Sequence, residues 1–194
     1  GVSTHNIMLD LVIAMIPASI AAIVFFGLKA LWLILTCVVS AVAAEFIFNL
    51  CVKKKQTIGD FSATVTGLLL ALNLSTNVEL WQAALGSVFA IVVVKGFFGG
   101  LGKNIVNPAL AGRAFMFSWP VAMSTWVKPG WENQAGLLSA ADAVTGATPL
   151  AAMHQGQLPD AKLLDTFMGN TGGCIGETST VWLLVGVLYL LIRR

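Results

Sequence analysis

Three acids lie in or beside long apolar runs of this chain: Asp10, Glu45 and Glu177. A carboxylate in a lipid-like interior is costly, so it faces a counter-charge, a polar cavity or an ion pathway. All three are therefore candidates for lining an ion path. Each also has a plainer role. Asp10 lies near the start of its run, where it can sit at an interface. Glu45 is near enough to Lys53, Lys54 and Lys55 to pair with them, and Glu177 opens the last run, where an acid suits a helix N-terminus. Hydroxyl chemistry is offered by "DAVTGATPLA" (142–151), in which Thr145 and Thr148 flank Gly146-Ala147 and Pro149 follows. Thr148 as N-cap with Pro149 as first helical residue makes an ordinary helix start; the alternative is a point of attachment. Metal chemistry is disfavoured, because Cys37, Cys51 and Cys174 have no ligand spacing and His5 and His154 are not paired. Cys37 and Cys51 share one apolar run and read as buried thiols. The glycine cluster "GFFGGLGKN" lacks the GK[ST] ending and fails GxGxxG, so helix packing and a helix break explain it better.

The elements that must hold these residues are set by composition. The chain has 194 residues, 57% hydrophobic and 10% charged, against roughly 25% charged in a soluble domain. At this length that much apolar surface cannot all be hidden in a core, so the solvent is lipid. A net charge of +2 gives no nucleic-acid footprint. Spans are predicted over 7–28, 31–52 and 81–98, with Lys29 and Ala30 as the turn of a tight hairpin and Lys95 snorkelling at the end of its span. Residues 62–74 are too few for a full span and read as a half-helix. The glycines of 96–102 and Asn107-Pro108 break the helix before an apolar segment over 108–120. Residues 127–173 form a polar loop, and a last span covers 181–192. If the spans alternate, Lys53, Lys54, Lys55, Lys103, Arg193 and Arg194 share one side, the cytoplasmic one by the positive-inside rule. The polar loop then faces outside. The expected fold is an all-α polytopic membrane helical bundle with half-helices, one membrane domain over 1–194. Its termini, Gly1 and Arg194, suggest a piece of a longer membrane protein.

Several blocks carry a resemblance. "DAVTGATPLA" is similar to the D-x-x-[ST]-G-A-T signal at which a flavin transferase esterifies FMN to a threonine. "HNIMLDLVIAMIPA", "SATVTGLLLALNL", "KGFFGGLGKNIVNPALAGRAF" and "GGCIGETST" resemble, in order, blocks of the RnfD and NqrB family. The resemblance implies a membrane subunit of a cation-translocating redox complex, either ferredoxin:NAD oxidoreductase (Rnf) or sodium-pumping NADH:quinone reductase. It implies an inverted-repeat core like that of urea transporters, of which this chain would supply the first repeat and the start of the second. Thr148 would carry a covalent FMN, and Asp142, Thr145, Gly146 and Ala147 would be positions recognised by the transferase. A noncovalent riboflavin is also implied, with no residue to assign to it. Implied partners are the other complex subunits, the transferase and the lipid of a bacterial or archaeal cytoplasmic membrane. The quinone-reductase branch carries an acid after the lysine of the glycine-rich block. Here Gly96 follows Lys95, and Thr145 and Ala143 stand where that branch more often has serine and glycine, so RnfD is favoured. The rival is a channel or transporter of the same fold without redox chemistry.

Overall fold

A computed structural model describes residues 3–100, 102–127, 148–154, 156, 158, 162–169, 171–177 and 179–193, and its regular elements are all helices. Helices α1 (Thr4–Phe26) and α2 (Leu28–Cys51) are both long and apolar enough to cross a membrane. The turn between them is Gly27 alone, at φ 73°, with its N–H bonded to the Ile23 carbonyl at 2.8 Å. Only glycine takes that conformation cheaply, so Lys29 and Ala30 begin α2 rather than forming the turn. Ile16, Ile20 and Val24 of α1 and Val39, Phe46, Ile47 and Leu50 of α2 stay exposed. Such continuous apolar outer faces suit lipid and not water. Cys37 is buried as expected, but Cys51 ends α2 with its side chain exposed.

Beyond the basic run, a single 3₁₀ turn (Ile58–Asp60) and Phe61 in the left-handed region at φ 60° send the chain back inward. Helix α3 (Ser62–Leu72) has 11 residues and so rises roughly 16 Å, about half the hydrocarbon thickness. It is buried along nearly its whole length, chiefly against α2 and also against α1 and α4 (Leu80–Phe89). A helix that short survives at membrane depth only with protein around its ends, as the half-helix expectation required. Gly67 makes the approach possible: a Cβ there would lie 2.7 Å from the Cys37 carbonyl oxygen and 2.9 Å from the Val38 Cα.

The predicted span over 81–98 is not one regular helix. α4 passes into a π-helical stretch, Ala90–Gly96, and Gly99, Gly100 and Gly102 then take φ of 101°, 97° and 81°. α5 (Pro108–Met116) starts on Asn107, whose side chain accepts from the Ala109 and Leu110 amides, with Pro108 at the first helical position. The apolar segment over 108–120 is divided, since α6 (Pro120–Ser124) is a separate turn of helix. The polar stretch holds α7 (Pro149–His154) and α8 (Leu163–Met168). α9 (Thr180–Arg193) packs on α1, with Gly186 directly over the Ala14 carbonyl.

The core lies between α2, α3 and α4 and includes Leu33, Cys37, Leu70, Leu74, Met116 and Ile175. The segment before α9 is tied to it through the Ile175 amide on Leu74 O at 2.9 Å and the Gly176 amide on Leu72 O at 2.8 Å. One end of the bundle gathers the start of α1, the end of α2, the 53–60 turn, the start of α3 and the end of α9. His5 Nδ1 lies 2.6 Å from Gly59 O, and Arg193 reaches Asp10 there. The basic residues Lys53, Lys54, Lys55 and Arg193 lie toward that end; Arg194, grouped with them by the charge pattern, lies outside the described residues. Replacing Gly67 by Val should force α2 and α3 apart and cost about 1–3 kcal/mol or more, read as a lowered thermal midpoint in detergent.

Candidate functional site

Glu45 projects from α2 about two turns before the helix ends. Lys95 lies in the π-helical stretch, 50 residues later in the chain. Each is only 4% exposed, and Lys95 Nζ donates to Glu45 Oε1 at 2.7 Å. The wide π turn is what aims Lys95 inward; such turns recur at functional positions. Lys95 therefore does not snorkel, and Glu45 does not pair with the basic run. A buried pair of charges is tolerable only when further hydrogen bonds satisfy both groups. Lys95 Nζ also donates to Ser62 Oγ at 2.6 Å, and Ser62 Oγ in turn donates to Asp60 Oδ1. The Ser62 amide donates to the same Asp60 oxygen at 2.8 Å, which anchors the start of α3. On the other side, Thr57 Oγ1 donates to Glu45 Oε1 at 2.6 Å and accepts from Asn49 Nδ2 at 3.0 Å.

One atom is left out. Glu45 Oε2 is buried with no hydrogen-bond partner, although a carboxylate oxygen in that state is expensive. A cavity of about 260 Å³ lies against this cluster, with Glu45, Asn49, Thr57, Asp60, Lys95 and Gly99 in its wall. Gly96 is closed by an aromatic ring: a Cβ there would fall 2.7 Å from Phe48 Cζ.

The three candidate ion-path acids are not brought together. Asp10 accepts from Tyr189 Oη at 3.0 Å and Arg193 Nε at 3.2 Å, so it clasps α1 to α9 near the basic end. Glu177 is exposed in the turn before α9 and lies outside that helix, whose first turn has no acid. Glu45 alone is central. Thr148 is partly buried immediately before α7, and its carbonyl accepts from the Ala152 amide at 3.2 Å, the bond of a residue heading a helix. Asp142, Thr145, Gly146 and Ala147 lie outside the described residues. Among the described residues no group of three or more His, Cys, Asp or Glu is placed to hold a metal ion. Sequence reasoning missed Lys95 as the partner of Glu45, and it missed Asp60, Thr57 and Ser62 altogether. The one local signal was "GDFS", an acid two residues ahead of a serine that opens an apolar helix. Also missed was Arg113, whose guanidinium donates to Asn73 Oδ1 at 3.0 Å and to Cys174 Sγ at 3.6 Å, joining α5, α3 and the segment before α9.

Lys95→Met should strand a buried Glu45 charge and cost about 3–5 kcal/mol. The shape-preserving pair Glu45→Gln with Lys95→Met should recover most of that loss, as read from chemical or thermal unfolding in detergent.

Comparison with known proteins places these residues in a family. The whole of 1–194 matches the NQR2, RnfD, RnfE family. The chain is 45% identical to the D subunit of the Na(+)-translocating ferredoxin:NAD(+) oxidoreductase complex of Acetobacterium woodii, covering 98% of this chain and 58% of that protein. It is 41% identical to the D subunit of the proton-translocating ferredoxin:NAD(+) oxidoreductase complex of Clostridium ljungdahlii, covering 99% and 59%. The B subunit of the Na(+)-translocating NADH-quinone reductase of Chromohalobacter salexigens is 42% identical, but over 67% of this chain and 31% of that protein. The chain thus spans under two thirds of the length of these relatives, and the RnfD side favoured by its motifs is the side matched nearly throughout. With its lipid-facing helices and this match over every residue, the chain is a membrane protein of the NQR2, RnfD, RnfE family.

Proposed function

We propose that this chain belongs to the D-type subunit of a redox-driven, ion-translocating ferredoxin:NAD oxidoreductase complex and carries a covalently bound FMN on Thr148. The observation that carries the reading is the 45% identity with a D-type relative over 98% of the chain. In this reading the protein is multi-pass in a bacterial or archaeal cytoplasmic membrane, with the basic end inside and the Thr148 segment outside. Its partners are the other complex subunits and, during maturation, a flavin transferase. The short, buried α3 and the interrupted α4 support an inverted-repeat core built around discontinuous helices, with the segment before α9 opening the second repeat.

Thr148 fits the attachment by its placement. It stands ahead of Pro149, outside the hydrophobic core, and its backbone carbonyl is engaged by Ala152. The helix start therefore fixes the backbone from which the hydroxyl projects, and a phosphoester there would keep the flavin from diffusing away. The bound FMN supplies electron transfer, while the protein supplies position. Asp142, Thr145, Gly146 and Ala147 serve the transferase, the small residues letting it approach the backbone, and take no part in electron flow. The quinone-reductase B-type reading is weaker, because three B-type relatives match 67%, 67% and 77% of the chain, against 98% and 99% for the two D-type relatives above.

Coexpressed with a flavin transferase, the full-length protein should keep flavin fluorescence after denaturing electrophoresis and gain the mass of an FMN ester. Thr148→Ala should abolish both signals and Thr145→Ala should keep them. A native protein without adduct, or an adduct surviving in Thr148→Ala, overturns the assignment.

A further inference from the structure

We propose that the cavity at the basic end of α2 holds the headgroup of a phosphatidylglycerol, its phosphate against Lys54 and Lys55 and a glycerol hydroxyl donating into the floor. The charges of the wall are sorted by exposure. Lys54 and Lys55 line the cavity and are open to solvent, whereas Glu45 and Lys95 are each only 4% exposed. The five lining charges, Lys54, Lys55, Lys95, Glu45 and Asp60, sum to +1, so a ligand with one negative charge brings the cavity to neutrality. The floor asks for something else. Lys95 is committed to Glu45 Oε1 and Ser62 Oγ, which leaves Glu45 Oε2 buried without a donor. A neutral hydroxyl meets that oxygen and sets no second cation beside Lys95.

The cavity also lies at the right depth. α2 ends at Cys51, its exposed Ile47 and Leu50 suit hydrocarbon, and the lysines follow directly. Basic side chains just beyond a spanning helix draw anionic lipids, and pockets between helices at that level take their headgroups. Phe48 lines the cavity and meets Phe97 edge-on, with ring centroids 5.8 Å apart. Phe97 is itself 71% exposed, so the apolar wall continues outward to where acyl chains would lie. Lys54 Nζ stands 5.8 Å from the Phe48 ring centroid, which puts a phosphate donor at the rim of the same wall. A water takes up about 30 Å³ in the liquid, so a cavity of about 260 Å³ admits a three-carbon polyol. Phosphatidylglycerol joins one negative charge to free hydroxyls. Phosphatidylcholine has neither, phosphatidylethanolamine has no net charge, and phosphatidic acid has no polyol. Free glycerol phosphate shares the polar chemistry but leaves the exposed aromatic wall unused. The site rests on the membrane class of the chain and not on its redox reading.

The test uses the delipidated, detergent-solubilised complex containing the full-length subunit. The fraction of this subunit left in solution after heating is read by immunoblot against added short-chain phosphatidylglycerol. This lipid should raise the thermal midpoint, and the phosphatidylcholine and phosphatidylethanolamine of equal chain length should not. The concentration for half the effect should rise about tenfold or more in Lys54→Gln/Lys55→Gln, whose side chains are exposed and carry no fold contact in the core. Phosphatidic acid should act more weakly than phosphatidylglycerol, and that preference should disappear in the shape-preserving pair Glu45→Gln/Lys95→Met. Equal responses to phosphatidylglycerol and phosphatidylcholine, or a response unchanged in the double lysine variant, overturn the site. A preference for phosphatidylethanolamine overturns the choice of headgroup, and phosphatidic acid acting as strongly as phosphatidylglycerol overturns the hydroxyl contact. Glycerol phosphate matching the lipid at equal concentration overturns the lipid as its source.

Discussion

The buried contact between Lys95 and Glu45 is the constraint on which the polar half of this structure depends. Two charges cannot leave water unless each finds several partners, and those partners come from every neighbouring element. Lys95 reaches inward because the helix after Phe89 widens into a π stretch. Glu45 is met from outside the membrane-length helices by Thr57, on the turn that folds back under α2. Ser62, the first residue of α3, accepts from the same ammonium, so the start of α3 is held beside the pair. The half-helix, the π stretch and the polar turn thus meet at one buried pair of charges.

The apolar half obeys a different rule. Lipid offers no hydrophobic force to push helices together, so contact depends on close backbone packing at small residues. Gly67 lets α3 touch the α2 backbone, Gly112 sets α5 against the Gly86 carbonyl, and Gly186 seats α9 on Ala14. The segment before α9 meanwhile docks onto the end of α3, where Arg113 ties it to Asn73. The last helix is thereby locked to the first.

The sequence by itself determined the membrane class, the hairpin of two long spans, the short third helix, the break at 96–108 and the shared side of the basic residues. Each of these is written in local features: runs of apolar residues, glycine and proline, and the positions of lysine and arginine. The family was legible too, because whole motifs survive in order. Only the tertiary structure decided what the charges do. Lys95 looked like a snorkelling residue near a span end, and Glu45 had three lysines within reach along the chain. A π turn shifts the helix register without any residue signature, and the pair it creates joins positions 50 residues apart. Pairing energies between such distant groups depend on packing, so periodicity and composition hold no trace of them.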